Sequence, residues 1–463
     1  MIVSEPTTDG TYRDRVVAVE PGGNEYIADA DRHGRPSQLF WTWTSPNLEF
    51  ATIFVGMLSV LAFGMTFWQA VAGIVLGTGL GAMAHYFLSA RGPLHGVPQM
   101  VLARLPFGFK GNALPSVLMA VTAGVGWFAT NSVSGAFALS TLFGFGPLVG
   151  LVIIVLLQTA LAFFGHNLIQ AFERYSFPVL AVVFIAASVV VFAHADIGNA
   201  TPAADGVGGL GGFLLTVGTS FGYAAGWAPY AADFTRYLPA TVSTRRTGFF
   251  AAAGLFTACA VLEVVGAASV TTGEASLADP TGSFTAELAS PLAAATLLAI
   301  AVGAIAANAI NVYSGAMAFV TIGITLPQHT ARAVVTAFFG VAGFLVAWWA
   351  LADAAHSYKA FLLIIAYWVG PWLGVFFADQ YLRRGQQVSH LLYDRSYTNW
   401  GGFAAFVLGL VVSVVLFANQ EKFVGVVAAA LPQLGDIAFF VGFLLSGAAY
   451  LILCRSKITA EMR

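Results

Sequence analysis

Apolar stretches of about twenty residues follow one another along most of this chain, separated by short polar breaks. A helix needs about 20 such residues to cross the ~30 Å hydrocarbon layer of a bilayer. Twelve stretches qualify, at roughly 41–64, 67–88, 114–141, 146–165, 175–194, 210–236, 248–270, 292–320, 333–351, 358–381, 401–418 and 434–453. Alternation at period two, the mark of a membrane β-barrel, is absent. Composition removes the soluble alternatives: of 463 residues, 58% are hydrophobic and 9% charged, against about 25% charged in soluble domains. So few charges cannot cover a water-facing surface, and a net charge of −2 offers nothing to nucleic acid. The expected fold is an all-α polytopic membrane protein with twelve transmembrane helices, its main partner the lipid bilayer. Cys259 and Cys454 both fall in apolar runs, so neither a disulfide framework nor a metal site is expected.

Twelve spans put both termini on one side. If that side is the cytoplasm, Lys and Arg should gather there. Eighteen of the 20 do, and only Lys359 and Lys422 fall on the other side. Residues 1–37 are polar and read as a cytoplasmic tail without the features of a signal peptide. A transporter core over 38–384 and a final helix pair over 385–463, ending in a short cytoplasmic C-terminus, complete the expected layout in the plasma membrane.

Two spans carry a proline inside an apolar run: Trp43-Thr44-Ser45-Pro46-Asn47-Leu48-Glu49 in span 1 and Gly226-Trp227-Ala228-Pro229-Tyr230 in span 6. Proline removes a helix donor and crowds the preceding turn, so each marks a candidate break. Pro46 and Pro229 stand 183 positions apart, and the same offset carries Asn311 of span 8 back to position 128, beside Trp127 of span 3. Matched interruptions of this kind are the trace of inverted-repeat transporters. The expectation is a 5+5 inverted repeat, about 38–195 and 205–384, with discontinuous spans 1 and 6 and two added helices. Backbone groups freed at mid-membrane are tolerated where they line a cavity or bind something.

Trp127 and Asn131 are four residues apart and share a helix face. Trp227 sits at the other break. Two indoles from different helices, with an amide nearby, suit a flat heteroaromatic ring: the indoles stack, and the amide both donates and accepts at the ring edge. Asn308 and Asn311 form a second same-face amide pair in span 8, and Ser45 and Asn47 lie at the first break. Trp348, Trp349 and Trp400 stand near span ends and read as interfacial anchors.

Carboxyls inside a membrane are functional candidates by default. Glu49 follows the first break with no basic residue within a helical turn, and Glu263 lies within span 7. Low dielectric disfavours a bare carboxylate, which makes Glu49 the leading proton carrier. Asp233 and Arg236, at the inner end of span 6, read as a structural ion pair at i,i+3 spacing. Gly73, Gly77 and Gly81 read as a close helix-packing stripe in span 2. Gly218-Thr219-Ser220-Phe221-Gly222 matches a nucleophile-elbow pattern but lacks the strand-turn-helix setting. No P-loop or metalloprotease motif is present, so neither an ATP-driven pump nor an enzyme is expected.

With these residues in place, the chain resembles the nucleobase:cation symporter-1 family, in its purine/cytosine permease branch. The resemblance runs from about Gln38 to Arg384. It is carried by Gly96-Val97-Pro98-Gln99-Met100-Val101-Leu102-Ala103-Arg104-Leu105-Pro106-Phe107-Gly108-Phe109-Lys110-Gly111-Asn112, Gly126-Trp127-Phe128, Ala232-Asp233-Phe234-Thr235-Arg236-Tyr237-Leu238-Pro239, Asn311-Val312-Tyr313-Ser314-Gly315 and Ala378-Asp379. It implies the leucine-transporter (LeuT-like) fold, alternating access and secondary-active uptake of a small heterocycle, with cytosine or a purine as the expected cargo. It further implies that Trp127 and Trp227 are the stacking tryptophans, that Asn131 and Asn311 are polar substrate contacts, and that Ser45 and Asn47 line the site. Sodium-coupled members place a hydroxyl pair on span 8 where this chain has Ala306 and Ala307. No cofactor is implied beyond a coupling cation, with H+ favoured over Na+. Two other readings remain. One keeps the fold but carries a hydantoin, allantoin or a thiamine-related vitamin, or couples to sodium. The other is a channel or intramembrane enzyme, for which the chain lacks a charged pore ring and a nucleophile–base pair.

Overall fold

The structure is a computed structural model that describes residues 23–164, 166–198, 206–271, 276–277, 280–323, 328–383, 386 and 388–461. Most of the expected tail and the expected boundaries at 205 and 384 lie outside these residues. Helix is found at every one of the twelve expected stretches. Spans 2, 7, 8, 10, 11 and 12 are Phe67–Ser89, Thr244–Ser269, Ser290–Thr321, Ala354–Arg383, Trp400–Phe417 and Ala438–Glu461. Spans 4, 5 and 9 are Pro147–Phe164, His166–His194 and Gln328–Ala350. Span 3 runs as Ala113–Val121, one π-helical stretch Thr122–Trp127, and Phe128–Phe143. Among the described residues, eight helices are long and apolar enough to cross a bilayer, and the bent pair of span 1 makes nine. Spans 4 and 9 are shorter apolar helices, and span 6 is divided.

Both expected breaks are present. Span 1 consists of Gln38–Thr44, a 3-10 turn Ser45–Asn47 holding Pro46, and Phe50–Leu61. Its two halves meet at 61°. Leu48 leaves helical geometry and Glu49 is extended, at φ −145° and ψ 168°. Span 6 consists of Gly209–Ala225, a 3-10 turn Ala228–Tyr230 holding Pro229, and Ala231–Thr235. Each proline thus opens a tight turn where its missing N–H costs no helical bond.

Spans 1, 6, 8 and 10 form the interior. Span 2 packs on spans 6 and 7, span 8 on spans 3, 4 and 5, and spans 11 and 12 form a flank against span 10. The outer surface is apolar, with Leu156, Val182, Val341 and Ile452 all exposed, and hydrocarbon is the solvent that suits it. Glycine sets how near the inner helices come. In span 2, Gly77 and Gly81 lie against span 6, where an added Cβ would meet Val217 O at 2.4 Å and the Ala224 Cβ at 2.6 Å. The second half of span 1, Phe50–Leu61, lies backbone to backbone on span 7. A Cβ on Gly56 would sit 1.7 Å from Glu263 O, and one on Gly266 would sit 1.8 Å from Ile53 O.

Because backbone faces backbone there, neither side can yield. Gly56→Ala is expected to lower stability by about 1–3 kcal/mol or more through overpacking, read as thermal unfolding in detergent. Gly79→Ala, whose nearest neighbour would be 3.9 Å away, is expected to leave stability unchanged or raise it slightly, because alanine is the better helix former. Equal effects from the two substitutions would refute the close contact.

Candidate functional site

The two breaks meet at one side chain. Asn47 donates through Nδ2 to the Trp43 carbonyl at 2.7 Å, and its Oδ1 accepts the Trp227 indole N–H at 2.8 Å. Cys259 Sγ on span 7 also reaches Asn47 Oδ1, at 3.4 Å. The Asn47 carbonyl accepts from the Thr52 hydroxyl at 2.8 Å. Asn47 therefore closes the end of one half-helix and fixes the indole at the other break.

Trp227 so held is nearly parallel to Trp127, with 12° between the planes and centroids 6.5 Å apart. That separation is close to twice the ~3.5 Å contact distance between carbon atoms. Both rings are only 2% exposed. Tyr223 and Phe361 meet Trp127 edge-on, at 5.2 and 5.1 Å. On the far side, Trp43 meets Trp227 edge-on at 5.8 Å and His85 at 4.2 Å. The π-helical stretch ends at Trp127. Such widened turns recur at functional sites because they re-aim a side chain without ending the helix.

The expected amides cluster beside this pair. Asn308 Nδ2 donates to Gln158 Oε1 at 2.7 Å and to the Phe128 carbonyl at 3.0 Å. Its Oδ1 accepts from Asn131 Nδ2 at 3.1 Å and Asn311 Nδ2 at 3.2 Å. Asn311 Oδ1 accepts from the Tyr230 hydroxyl at 2.8 Å, and Tyr230 touches Trp227 with centroids 5.0 Å apart. Asn308 thus spends both ends of its amide on protein. Asn131 Oδ1, in contrast, is buried with no hydrogen-bond partner among the described residues.

The acids lie around this centre. Glu49 is 1% exposed. Its Oε1 lies 3.0 Å from the Tyr223 hydroxyl, which is 2.6 Å from Thr52 Oγ1, while Oε2 has no partner among the described residues. Glu263 is fully buried rather than water-facing, with Oε2 accepting from Thr78 at 3.2 Å. Asp233 Oδ1 accepts the Gln99 backbone N–H at 2.9 Å. Arg236 donates to the Gly23 carbonyl at 2.8 Å and to the Tyr237 hydroxyl at 3.0 Å. These two are far from the aromatic pair in role: they join span 6 to the span 2–3 loop and the N-terminal segment. Ser45 turns away as well, its hydroxyl donating to the Glu173 carbonyl on span 5 at 3.3 Å.

Sequence reasoning missed Tyr223, Tyr230, Gln158, Trp43 and Glu173. Tyr223 and Tyr230 bracket the span 6 break and were visible there. Gln158 is the one amide in the otherwise apolar span 4, Pro147–Phe164, a signal in its own right.

The chain matches, over residues 26–442, the family described as permeases for cytosine/purines, uracil, thiamine and allantoin. It is 28% identical to the YxlA protein of Bacillus subtilis over 452 residues, covering 94% of this chain and 95% of that one. It is 26% identical to the purine-cytosine permease fcyB of Emericella nidulans over 431 residues, covering 89% of this chain and 83% of that one. In three dimensions it is similar to Mhp1, a nucleobase-cation-symport-1 family transporter, in a closed conformation with bromovinylhydantoin bound. The TM-score is 0.73 at 19% identity, over 96% of each chain. The fold is therefore LeuT-like.

Asn308→Ala leaves several buried amide and carbonyl partners unsatisfied and is expected to cost about 1–3 kcal/mol of stability. Thr130→Ala, which removes a half-buried methyl and a hydroxyl bonded to the Gly126 carbonyl within its own helix, is expected to cost under about 1 kcal/mol. Thermal unfolding in detergent reads both, and an unaffected N308A protein would contradict the network.

Proposed function

Because the chain belongs to the nucleobase:cation symporter-1 family, in its purine/cytosine permease branch, we propose that it imports a nucleobase, cytosine or a purine, by proton-coupled alternating access. The observation that carries this reading is the Trp127–Trp227 pair, parallel within 12° and buried between the two breaks. A planar base stacks between the indoles, as unstacked bases do on aromatic side chains elsewhere. The Asn131 Oδ1 accepts from a ring-edge donor such as an exocyclic amine, and Asn311 lies beside it. Asn308 and Asn47 act by holding the amide cluster and Trp227 in place. The plasma membrane with both termini inside follows from the distribution of basic residues.

Hydrogen-bond counting supports the proton. Three contacts run in series, from Glu49 to Tyr223, from Tyr223 to Thr52, and from Thr52 to the Asn47 carbonyl. The two hydroxyls bring two hydrogens for three links. A proton on Glu49 supplies the third, and the whole series then points one way, towards the break. The proton thereby favours the geometry that aims Trp227 at the substrate, which is a means of coupling one to the other. At the span 8 positions 306 and 307 the side chains are alanine and buried, so they bring no oxygen to a sodium ion. Glu263, buried behind span 1, is a second candidate for the coupling path.

A second reading keeps every one of these residues and changes the ring. The family description includes thiamine and allantoin, and the similar Mhp1 structure holds a hydantoin. A heterocycle panel separates the two: radiolabelled cytosine, adenine, hypoxanthine, allantoin and a hydantoin, each presented to deficient cells with and without sodium. Uptake of cytosine or a purine is expected, rising as external pH falls and indifferent to sodium. Trp127→Ala and Trp227→Ala each remove a stacking face worth about 1–3 kcal/mol, so affinity should fall by roughly 5–150-fold. Glu49→Gln should abolish pH-driven accumulation. No uptake of any base at any pH would sink the proposal, and sodium-driven accumulation untouched by E49Q would sink the proton.

A further inference from the structure

Glu173 stands one residue from an exposed arginine, Arg174, yet its own side chain is fully buried. It faces inward near the start of span 5, His166–His194. Neither carboxyl oxygen has a hydrogen-bond partner among the described residues, and Glu49 Oε2 has none either. Three of the four oxygens of these two acids are thus buried and unpartnered. The first break lies between them: Ser45 Oγ donates to the Glu173 carbonyl at 3.3 Å and lies 3.5 Å from Ser176 Oγ.

The elements packed against span 5 hold few groups that could neutralise Glu173. Span 1 brings Glu49. Span 7 brings Cys259 and Glu263, with Arg245 and Arg246 exposed at its start. Span 8 brings Tyr313, whose hydroxyl lies beside Arg236 and Tyr237. Span 4 brings no titratable side chain. On span 5 itself, Arg174 and Tyr175 are exposed. Two buried carboxyls flanking one break, with no cation facing them among the described residues, resist being ionised together, so a proton held at one can pass to the other.

We propose that Glu173 is the inner proton acceptor of this transporter, taking the coupling proton from Glu49 across the span 1 break and releasing it to the inner side. The proposal rests on the proton-coupled reading above. In the step, the O–H bond of Glu49 breaks and an O–H bond forms on a Glu173 carboxylate oxygen, through a bridging water. Glu49 becomes the carboxylate, Glu173 becomes neutral, and total charge is unchanged. Glu173 then loses the proton to water on the side of Arg174, which carries 18 of the 20 basic residues. Glu49 follows the break in span 1 and Glu173 is tied through its carbonyl to Ser45 at the start of the break, so the pair flanks the point where access alternates.

The test uses the full chain in proteoliposomes and the radiolabelled base that the wild type transports. Each variant is measured for base exchange without a pH gradient and for accumulation under an imposed gradient. One coupled proton concentrates a neutral solute about tenfold per pH unit. Glu173→Gln should lower the ratio of accumulation to exchange by about that factor and flatten its dependence on internal pH. Arg174→Gln, at the exposed neighbour, should change neither. An E173Q protein that accumulates like the wild type with the same pH profile overturns the proposal. So does equal loss of exchange and accumulation, the mark of a structural role. If E173Q does not reach the membrane, Glu173→Asp decides: a displaced internal-pH profile supports the relay and an unmoved one overturns it. A wild type that takes up no heterocycle fails the functional reading itself, a different result from a coupled wild type with an indifferent E173Q.

Discussion

A backbone carbonyl freed inside a bilayer has no water to turn to, and leaving it unpaired costs several kcal/mol. The two broken spans create such groups by design, and Asn47 answers for the first while holding a side chain of the second. Its amide N–H takes the Trp43 carbonyl, Thr52 takes the carbonyl of Asn47 itself, and the amide oxygen takes the indole of Trp227. The break in span 1 is thereby held open as a turn, and the same side chain sets the plane of an aromatic ring in span 6. The residue that satisfies the first break thus also sets the plane of Trp227 against Trp127.

Around that joint the chain separates rigid contacts from adjustable ones. The second half of span 1 is locked on span 7 by Gly56 and Gly266, where backbone meets backbone. The amides of spans 3 and 8 are cross-linked through Asn308 and braced by Gln158 from span 4. By contrast, the acids at the break keep oxygens without a partner among the described residues: Glu49 Oε2 and both oxygens of Glu173. In a membrane such atoms are tolerable when a proton occupies them. The polar groups with spare capacity are the ones on which the proposed proton coupling rests.

The aromatic groups divide in a similar way. Trp127 and Trp227 are buried and face each other, while Trp348, Trp349 and Trp400 are more than half exposed at span ends. The same side chain is buried ring against ring in one place and lies on the apolar surface in the other. Only the helix that carries it decides which.

Much of this was legible in the linear chain. Apolar run length dictated the helices, because hydrocarbon thickness admits few alternatives. Proline inside such runs marked both breaks, because the missing donor cannot be hidden elsewhere. Trp127, Trp227, Asn131, Asn308 and Asn311 stood out because polar or bulky residues at mid-span need a reason. The partners did not stand out. That Asn308 serves its neighbours, that Ser45 points to span 5 rather than to the tryptophans, and that Asp233 meets the Gln99 backbone depend on contacts between residues 128 to 180 positions apart in the first two cases and 134 in the third. Glu173 was hidden for a related reason. Beside Arg174 it reads as part of a polar loop, and only helix packing turns one of the two inward. Solvent chemistry alone determines which segments enter the membrane; which of their faces meet is decided by tertiary packing, because a helix displays every direction until a neighbour selects one.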